Sequence, residues 1–179
     1  MSVSNNNQVD KTTGAQNVLD YPHHEIHGGS HYTYHMYNAS MASGDSIAFI
    51  VTTPNTTKWA HALFSGSSAF KFVYELYEDT THDAGAAESF YNNNRNSSNS
   101  GTVAINTFGS GGSNGTLIEA QSGGFATGNG ANLRLGGGEG RADNEWILKQ
   151  NTKYLVRAES FTDANNIQLN MTWYEHTNK

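Results

Sequence analysis

Residues 144–175 read NEWILKQNTKYLVRAESFTDANNIQLNMTWYE, and this stretch decides the fold class of the chain. Two of its segments, 153–160 and 166–175, alternate residue by residue between apolar and more polar side chains. Such alternation is typical of strands that bury one face, because successive side chains of a strand point to opposite sides. The stretch therefore predicts three consecutive strands joined by two polar turns. Trp146, Tyr154 and Trp173 are the core candidates, and Arg157 and Glu159 are expected to point outward.

The same pattern continues towards the beginning of the chain. In Ser46–Thr52, for example, Ile47, Phe49 and Val51 share one face. Clusters of Gly, Asn, Asp and Ser separate the segments, and these residues favour turns because they tolerate positive φ or bond to their own backbone. Many short strands at regular spacing favour an all-β, antiparallel β-sandwich of the jelly-roll type over a barrel or a propeller. The predicted strands are 31–40, 46–53, 58–65, 69–78, 102–108, 115–121, 131–135, 145–149, 153–160 and 166–175.

Three other segments carry local predictions. No amphipathic helix is expected, although 82–89, HDAGAAES, has the composition of a single helical turn. The glycine-rich zones 109–115 and 123–140 are predicted to be long flexible loops at one end of the sandwich. The alternative is that they are strands approached closely by the backbone of another subunit, since glycine in a strand often marks such an approach.

The chain of 179 residues is predicted to form one domain preceded by an arm. Residues 1–20 are polar and lack periodicity, so they are expected to form a flexible N-terminal arm. The domain is predicted to cover 21–179, and it includes a histidine-rich segment at 21–35, YPHHEIHGGSHYTYH.

Composition excludes several classes of function. The net charge is −6 and no block of Lys or Arg stands out, so no nucleic-acid partner is expected. There is no cysteine, which removes disulfides, thiol catalysis and Cys-ligated zinc. The longest uninterrupted apolar run is 47–51, far shorter than the roughly 20 residues that span a bilayer, so no membrane partner is expected either.

The histidine-rich segment is the sharpest candidate site. Neutral imidazole is a common metal ligand, but the spacing here matches no established metal motif. The pair Gly28-Gly29 argues against the helix that a motif of the HExxH type requires, so neither a metal nor a cofactor is predicted. Instead the segment is predicted to contact a neighbouring subunit or partner, and such an interface is expected to weaken near pH 5 to 6 if its imidazoles are buried neutral. The predicted interface residues are His23, His24, His27, His31, Tyr32 and Tyr34.

No catalytic residue is predicted. Glu75, Glu78 and Asp79 lie close together in sequence, but glycoside hydrolysis needs two acids across one cleft, and a solvated strand end explains these acids better. No glycine-flanked serine is followed by the helix that a nucleophile elbow requires. Aromatic residues that could instead stack on a sugar ring are Trp59, Tyr91 and Tyr174.

Several segments together resemble the auxiliary head proteins of tailed bacteriophages, which are called decoration or cement proteins. These segments are 23–35, HHEIHGGSHYTYH; 70–81, FKFVYELYEDTT; 90–100, FYNNNRNSSNS; and, near the end, EWILKQNTKYLVRAES with QLNMTWYE. Each is a pattern of strands and turns that carries no chemical signature.

The resemblance implies a non-enzymatic structural protein, often a homotrimer, that binds the outer surface of a capsid. Its expected partner is the major capsid protein, whose neighbouring subunits it would bridge. It would be assembled in the cytoplasm of a bacterial host and reside in the virion. The alternative is a phage fibre, receptor-binding or carbohydrate-binding module, because β-sandwiches of this kind serve all of these functions.

Overall fold

A computed structural model describes residues 21–124, 133–136 and 144–177, and for 133–136 it describes the backbone alone. The predicted arm at 1–20 and most of the second glycine-rich zone therefore lie outside the described residues. The described part contains no helix long and apolar enough to cross a membrane.

The described residues form one short helix and twelve strands. The helix is α1 (Tyr21–Gly28). The strands are β1 (His31–Met41), β2 (Ser46–Thr52), β3 (Trp59–Ser68), β4 (Phe72–Glu78), β5 (Ala84–Ala87), β6 (Tyr91–Asn92), β7 (Ala104–Phe108), β8 (Thr116–Gly123), β9 (Leu133–Gly136), β10 (Trp146–Ile147), β11 (Lys153–Ser160) and β12 (Asn165–His176).

The strands form two antiparallel sheets. The first sheet has the order β10-β3-β12-β1-β6, and β9 also pairs with β3. The second has the order β5-β7-β2-β11-β4-β8. One continuous cluster of buried side chains draws on both sheets, so the sheets face each other across a shared core. The predicted all-β sandwich is confirmed.

Large aromatic side chains fill the core. Trp173 of β12 is fully buried and Tyr154 of β11 is 1% exposed, as predicted, whereas Trp146 packs against the cluster from a partly buried position. Tyr32 and Phe90 pack on Trp173, with ring centroids 5.4 and 4.9 Å from its own. Full burial of side chains of this size contributes roughly 1.5–3 kcal/mol each, so the aromatic layer dominates the packing of the first sheet.

The outward face of β11 holds an ion-pair ladder. Arg157 donates to Glu75 on β4 at 2.7 Å and to Glu159 on its own strand at 2.5 Å. Burial alone would lower the pKa of Arg157, but the two carboxylates outweigh it and raise that pKa. Arg157 and Glu159 thus point outward as predicted, while Leu155, which precedes them on the same side of the strand, is fully buried.

The helix α1 was not predicted, and the inference that Gly28-Gly29 excludes a helix is wrong. Pro22 in the first turn suits a helix start, where a missing N–H costs nothing. At the other end Gly29 adopts φ 73°. Its N–H bonds the Ile26 carbonyl at 3.1 Å, and the N–H of Ser30 bonds the Glu25 carbonyl at 2.9 Å. These are the two bonds of a Schellman cap, so the glycine pair ends the helix without preventing it.

The predicted helical turn at 82–89 is also wrong, because this segment contains β5, which pairs with β7. The glycine-rich zone 109–115 lies along residues 79–83 of the same chain. Thr81 donates its N–H to Ser113 at 3.0 Å, and a Cβ added at Gly112 would lie 2.6 Å from the Thr81 carbonyl carbon. Glycine here permits close backbone approach within one chain.

Candidate functional site

The strand register brings distant histidines together at one end of the first sheet. His31 of β1 pairs with Tyr174 of β12, and Tyr174 pairs with His61 of β3, so the three form one row on the outward side. His176 lies in the next row. We call this group, with Glu145 and Tyr21 beside it, the histidine end; its members are Tyr21, His31, His61, Glu145, Tyr174 and His176.

Hydrogen bonds link the histidine end into a chain. Glu145 Oε1 lies 2.7 Å from His61 Nδ1 and accepts from the Tyr174 hydroxyl at 2.6 Å. His61 Nε2 in turn lies 2.8 Å from His176 Nε2. A carboxylate accepts only, so neutral His61 carries its proton on Nδ1 and its Nε2 accepts from His176. The network therefore sets the tautomer of both rings.

Aromatic rings also pack against one another within the histidine end. The rings of His61 and Tyr174 stack with centroids 4.7 Å apart, and Tyr21 of α1 meets Tyr174 edge-on at 5.7 Å. Tyr174 is only 5% exposed as a result and offers no free face to a sugar. The other two aromatic residues considered for stacking are more accessible, Trp59 at 37% and Tyr91 at 50%.

The three histidines of α1 are exposed. The Nε2 atoms of His23 and His27 lie 3.1 Å apart, whereas His24 Nδ1 lies 3.3 Å from the buried carboxylate of Glu25. Burial would raise the pKa of Glu25, but hydrogen bonds from Ser30, His24 and Tyr21 outweigh it and lower that pKa. Glu25 thus anchors the helix to the chain that follows it.

The other three predicted interface residues are buried within the single chain. His31 is 5% exposed, and its Nδ1 lies 2.7 Å from the amide nitrogen of Asn93. Tyr32 and Tyr34 belong to the core, where burial and nearby carboxylates raise the pKa of each to about 12. The interface role therefore stays a prediction, and the residues that offer accessible surface for it are the histidines of α1.

Sequence reasoning missed His61, His176 and Glu145. His61 lies in the predicted strand 58–65 and His176 directly follows the predicted strand 166–175, but only the pairing of β3 with β12 makes them neighbours. Their separation of 115 positions leaves no local spacing to detect.

The chemistry of these groups is limited. Within the described ranges no three His, Cys, Asp or Glu side chains are arranged to hold a metal ion. Among the acids considered for catalysis, Glu75 pairs with Arg157, and Glu78 pairs with Lys149 at 2.5 Å. Asp79 adopts φ 58° at the turn after β4. Two of the three acids thus serve ion pairs within the fold.

A cavity of about 320 Å³ lies beside β1. Tyr34, His35, Glu88 and Tyr91 contribute to its lining. The guanidinium of Arg95 lies 5.3 Å from the centroid of the Tyr91 ring, a cation–π contact. The cavity therefore combines an exposed aromatic ring with a carboxylate and an imidazole.

The outward face of the first sheet is uncharged over most of its area. Apart from Arg134 on the short strand β9, the strands of this sheet carry one charged residue, Glu175, which is 2% exposed. The second sheet, by contrast, presents the ion-pair ladder of Arg157. We call the outward surface of the first sheet the uncharged face; its members are Thr33, His35, Tyr37, Trp59, Leu63, Ser65, Ser67, Tyr91, Ile147, Gln168, Asn170 and Thr172.

Comparison with known proteins identifies no relative: no family model, no curated protein and no solved structure matches this chain.

Proposed function

We propose that the protein is a non-enzymatic structural protein that associates with copies of itself through the uncharged face. In this proposal it forms a homotrimer that binds the outer surface of a phage capsid and bridges neighbouring subunits of the major capsid protein. Self-association is carried by the uncharged face, and capsid binding rests on the resemblance to decoration proteins.

The strand order supports a sandwich of the jelly-roll type. In the middle of the first sheet β12 lies between β1 and β3, and in the second β11 lies between β2 and β4. Successive strands β1 to β4 alternate between the two sheets, as do β11 and β12. This interleaving of early and late strands is the pattern expected of paired Greek keys, which capsid and lectin domains share.

Charge is the main argument for association through this surface. Copies of a chain with net charge −6 repel each other, so they meet most favourably where charged side chains are fewest. Depletion of charge together with enrichment of aromatic residues marks the centre of protein interfaces. Tyr37, Trp59 and Tyr91 supply exposed aromatic rings on this surface, at 56%, 37% and 50% exposure.

The size of the surface limits what it contributes by itself. Five strands spaced about 4.8 Å apart, with an average length of some seven residues at about 3.3 Å each, give a flat area of roughly 500 Å². In a trimer each copy meets two neighbours, so this area is divided between two contacts. Protruding side chains and the residues around the face must supply the rest of the roughly 800 Å² per partner that is typical of a specific interface.

The remaining surface is free for the capsid. The exposed histidines of α1 are not members of the uncharged face, and in this proposal they are left for contact with the capsid. A trimer presents three copies of them, so individually weak contacts combine into tight attachment.

Light scattering coupled to size exclusion tests the association. We expect a mass three times that of the 19.4-kDa chain, and a shift to the monomer for Thr172→Lys, which places a charge on the central strand. The matched control is Ser122→Lys, at an exposed position of β8 in the second sheet, and it should keep the wild-type mass. A monomeric wild type at about 100 µM, or equal behaviour of the two variants, would overturn this part of the proposal.

Electron microscopy tests the capsid partner. Purified protein is added to capsids that lack it, and we expect added density at regular positions on the outer surface together with greater resistance to heat. Capsids without added density would defeat the decoration role while leaving the self-association result standing.

The second candidate is a carbohydrate-binding module, and the cavity beside Tyr91 favours it. An exposed ring next to polar groups suits stacking on a sugar. A glycan array would then show saturable binding that Tyr91→Ala removes and that Trp59→Ala, on the same face but on β3 rather than β6, keeps. An array without saturable signal would exclude this candidate.

A further inference from the structure

We infer that His23 and His27 form a two-imidazole binding site for a borderline transition-metal ion such as Cu²⁺, Ni²⁺ or Zn²⁺. The inference concerns a different surface from the uncharged face and does not depend on the proposed function. Metal binding was not predicted for these histidines because the glycine pair after them argued against a helix. The helix α1 removes that objection.

The helix places both rings on one side. Residues four apart are neighbours on a helix surface, and the rings of His23 and His27 lie with centroids 4.8 Å apart. Both present the same atom, Nε2, and the two Nε2 atoms are 3.1 Å apart. In the free protein one of them donates a hydrogen bond to the other. When a metal ion binds, the donor ring carries its proton on Nδ1 instead, so that both Nε2 lone pairs face the ion.

The separation suits coordination. Metal–imidazole bonds measure about 2.0–2.1 Å, so an ion at this distance from both nitrogens would see them at an angle of roughly 95°. Octahedral ligands stand at about 90° and tetrahedral ligands at about 109°, so only a small movement of either ring is needed. Water completes the coordination, since both histidines are exposed.

The helix holds the pair in place. Its Schellman cap orders the last turn, and Glu25 accepts hydrogen bonds from Ser30 and His24 on another side of the helix. Asn94 donates to the His27 carbonyl at 3.1 Å and ties the end of α1 to the 90–100 segment. Ligands fixed on an anchored element bind metal more tightly than the same ligands on a flexible peptide, because less conformational freedom is lost.

Ligand type sets the expected selectivity. Imidazole suits Cu²⁺, Ni²⁺ and Zn²⁺, whereas Mg²⁺ and Ca²⁺ prefer oxygen ligands. Divalent affinity at a nitrogen site rises to Cu²⁺ and falls at Zn²⁺. Two protein ligands leave coordination positions that a side chain of a bound partner can occupy. The site can therefore act as a metal-dependent contact point as well as a passive chelate.

Isothermal titration calorimetry of the full chain without an affinity tag tests the site, with CuCl₂, NiCl₂, ZnCl₂ and MgCl₂ as titrants at pH 7.5. We expect one ion bound per chain, in the affinity order Cu²⁺ above Ni²⁺ above or near Zn²⁺, and no heat from Mg²⁺. His23→Ala and His27→Ala should each weaken binding at least tenfold.

A control variant separates this site from general histidine binding. His35→Ala removes an exposed histidine of β1, outside α1, and should keep the wild-type affinity. Circular dichroism confirms that each variant is folded. The inference is overturned by an absence of binding up to about 1 mM metal, by unchanged binding in His23→Ala and His27→Ala, or by an equal loss in His35→Ala.

Discussion

Replacement of Glu175 by Gln tests the most heavily bonded polar group of the described core. Glu175 lies at the end of β12 and is 2% exposed. Its carboxylate accepts from the Thr102 N–H at 2.8 Å and the Thr102 hydroxyl at 2.6 Å. It also accepts from the Val103 N–H at 3.1 Å and the Trp173 indole at 3.0 Å. Four donors, three from the distant 102–103 segment and one from Trp173 on the same strand, therefore converge on one side chain.

The expected loss of stability follows from the number of donors that bond to this carboxylate. A hydrogen bond to a charged group contributes about 1.5–3 kcal/mol, against about 0.5–1.5 kcal/mol between neutral groups. Gln keeps one oxygen, but its amide nitrogen cannot accept and must face one of the remaining donors. We expect Glu175→Gln to lower the free energy of unfolding by roughly 2–4 kcal/mol, one of the larger effects available to a single substitution.

Urea and thermal denaturation measure the effect. For a chain of this size 1 kcal/mol corresponds to about 2–4 °C, so the melting temperature should fall by roughly 4–16 °C. All variants are compared at one protein concentration, because the proposed self-association would add to apparent stability. The matched control is Glu159→Gln, a partly exposed carboxylate in the ion-pair ladder, with an expected loss of about 1 kcal/mol or less. A loss below about 0.5 kcal/mol for Glu175→Gln would refute this account of the buried carboxylate.

Three further predictions concern backbone and pH. Gly29→Ala should destabilise by about 1–3 kcal/mol more than Gly44→Ala, since both glycines have positive φ but only Gly29 is closely packed; equal melting temperatures would contradict this. Because the pKa values of Tyr32 and Tyr34 are raised from 10.0 to about 12, the unfolded chain loses these protons first, and stability should fall as pH rises from 10 to 12. Urea titrations at pH 9.5 and 11.5 check this, and Tyr34→Phe should reduce the drop. The pKa of Glu25 is lowered from its unfolded value of 4.5, so its ionised form stabilises the folded chain above pH 4.5 and this stabilisation is lost as pH falls through the folded pKa. Glu25→Gln should therefore flatten the acid side of the plot of stability against pH; an unchanged profile would contradict this.

The strands could be predicted because their signal is local. The alternation in 153–160 matches β11 at both ends, and β1, β2 and β12 agree with prediction to within one residue at each end. Each of these strands buries one face against a large core, so apolar residues occur at every second position of its sequence. The short strands β5 and β6 were missed, because AGAA and YN are too short to show a period.

Neither α1 nor the histidine end could be predicted from the sequence, and the reasons differ. YPHHEIHG carries no apolar stripe, and α1 is held by its glycine cap and by the buried Glu25. The histidine end depends on the register of β3 against β12, which a single sequence does not display. The sequence shows that these histidines are present, but the contact between His61 and His176 depends on the pairing of β3 with β12.

The central position of β12 has a consequence for synthesis. This strand fills the gap between β1 and β3, yet it is made after both of them and after all of the second sheet. At roughly 5–20 residues per second, the nascent chain spends on the order of ten seconds with two long strands that lack their shared partner. Unpaired strand edges invite association with other chains, so the low charge of β1 and β3, to which we assign a role in assembly only as a proposal, is a hazard during this interval. Cells that make this protein quickly should therefore depend on chaperones until residues 165–176 emerge.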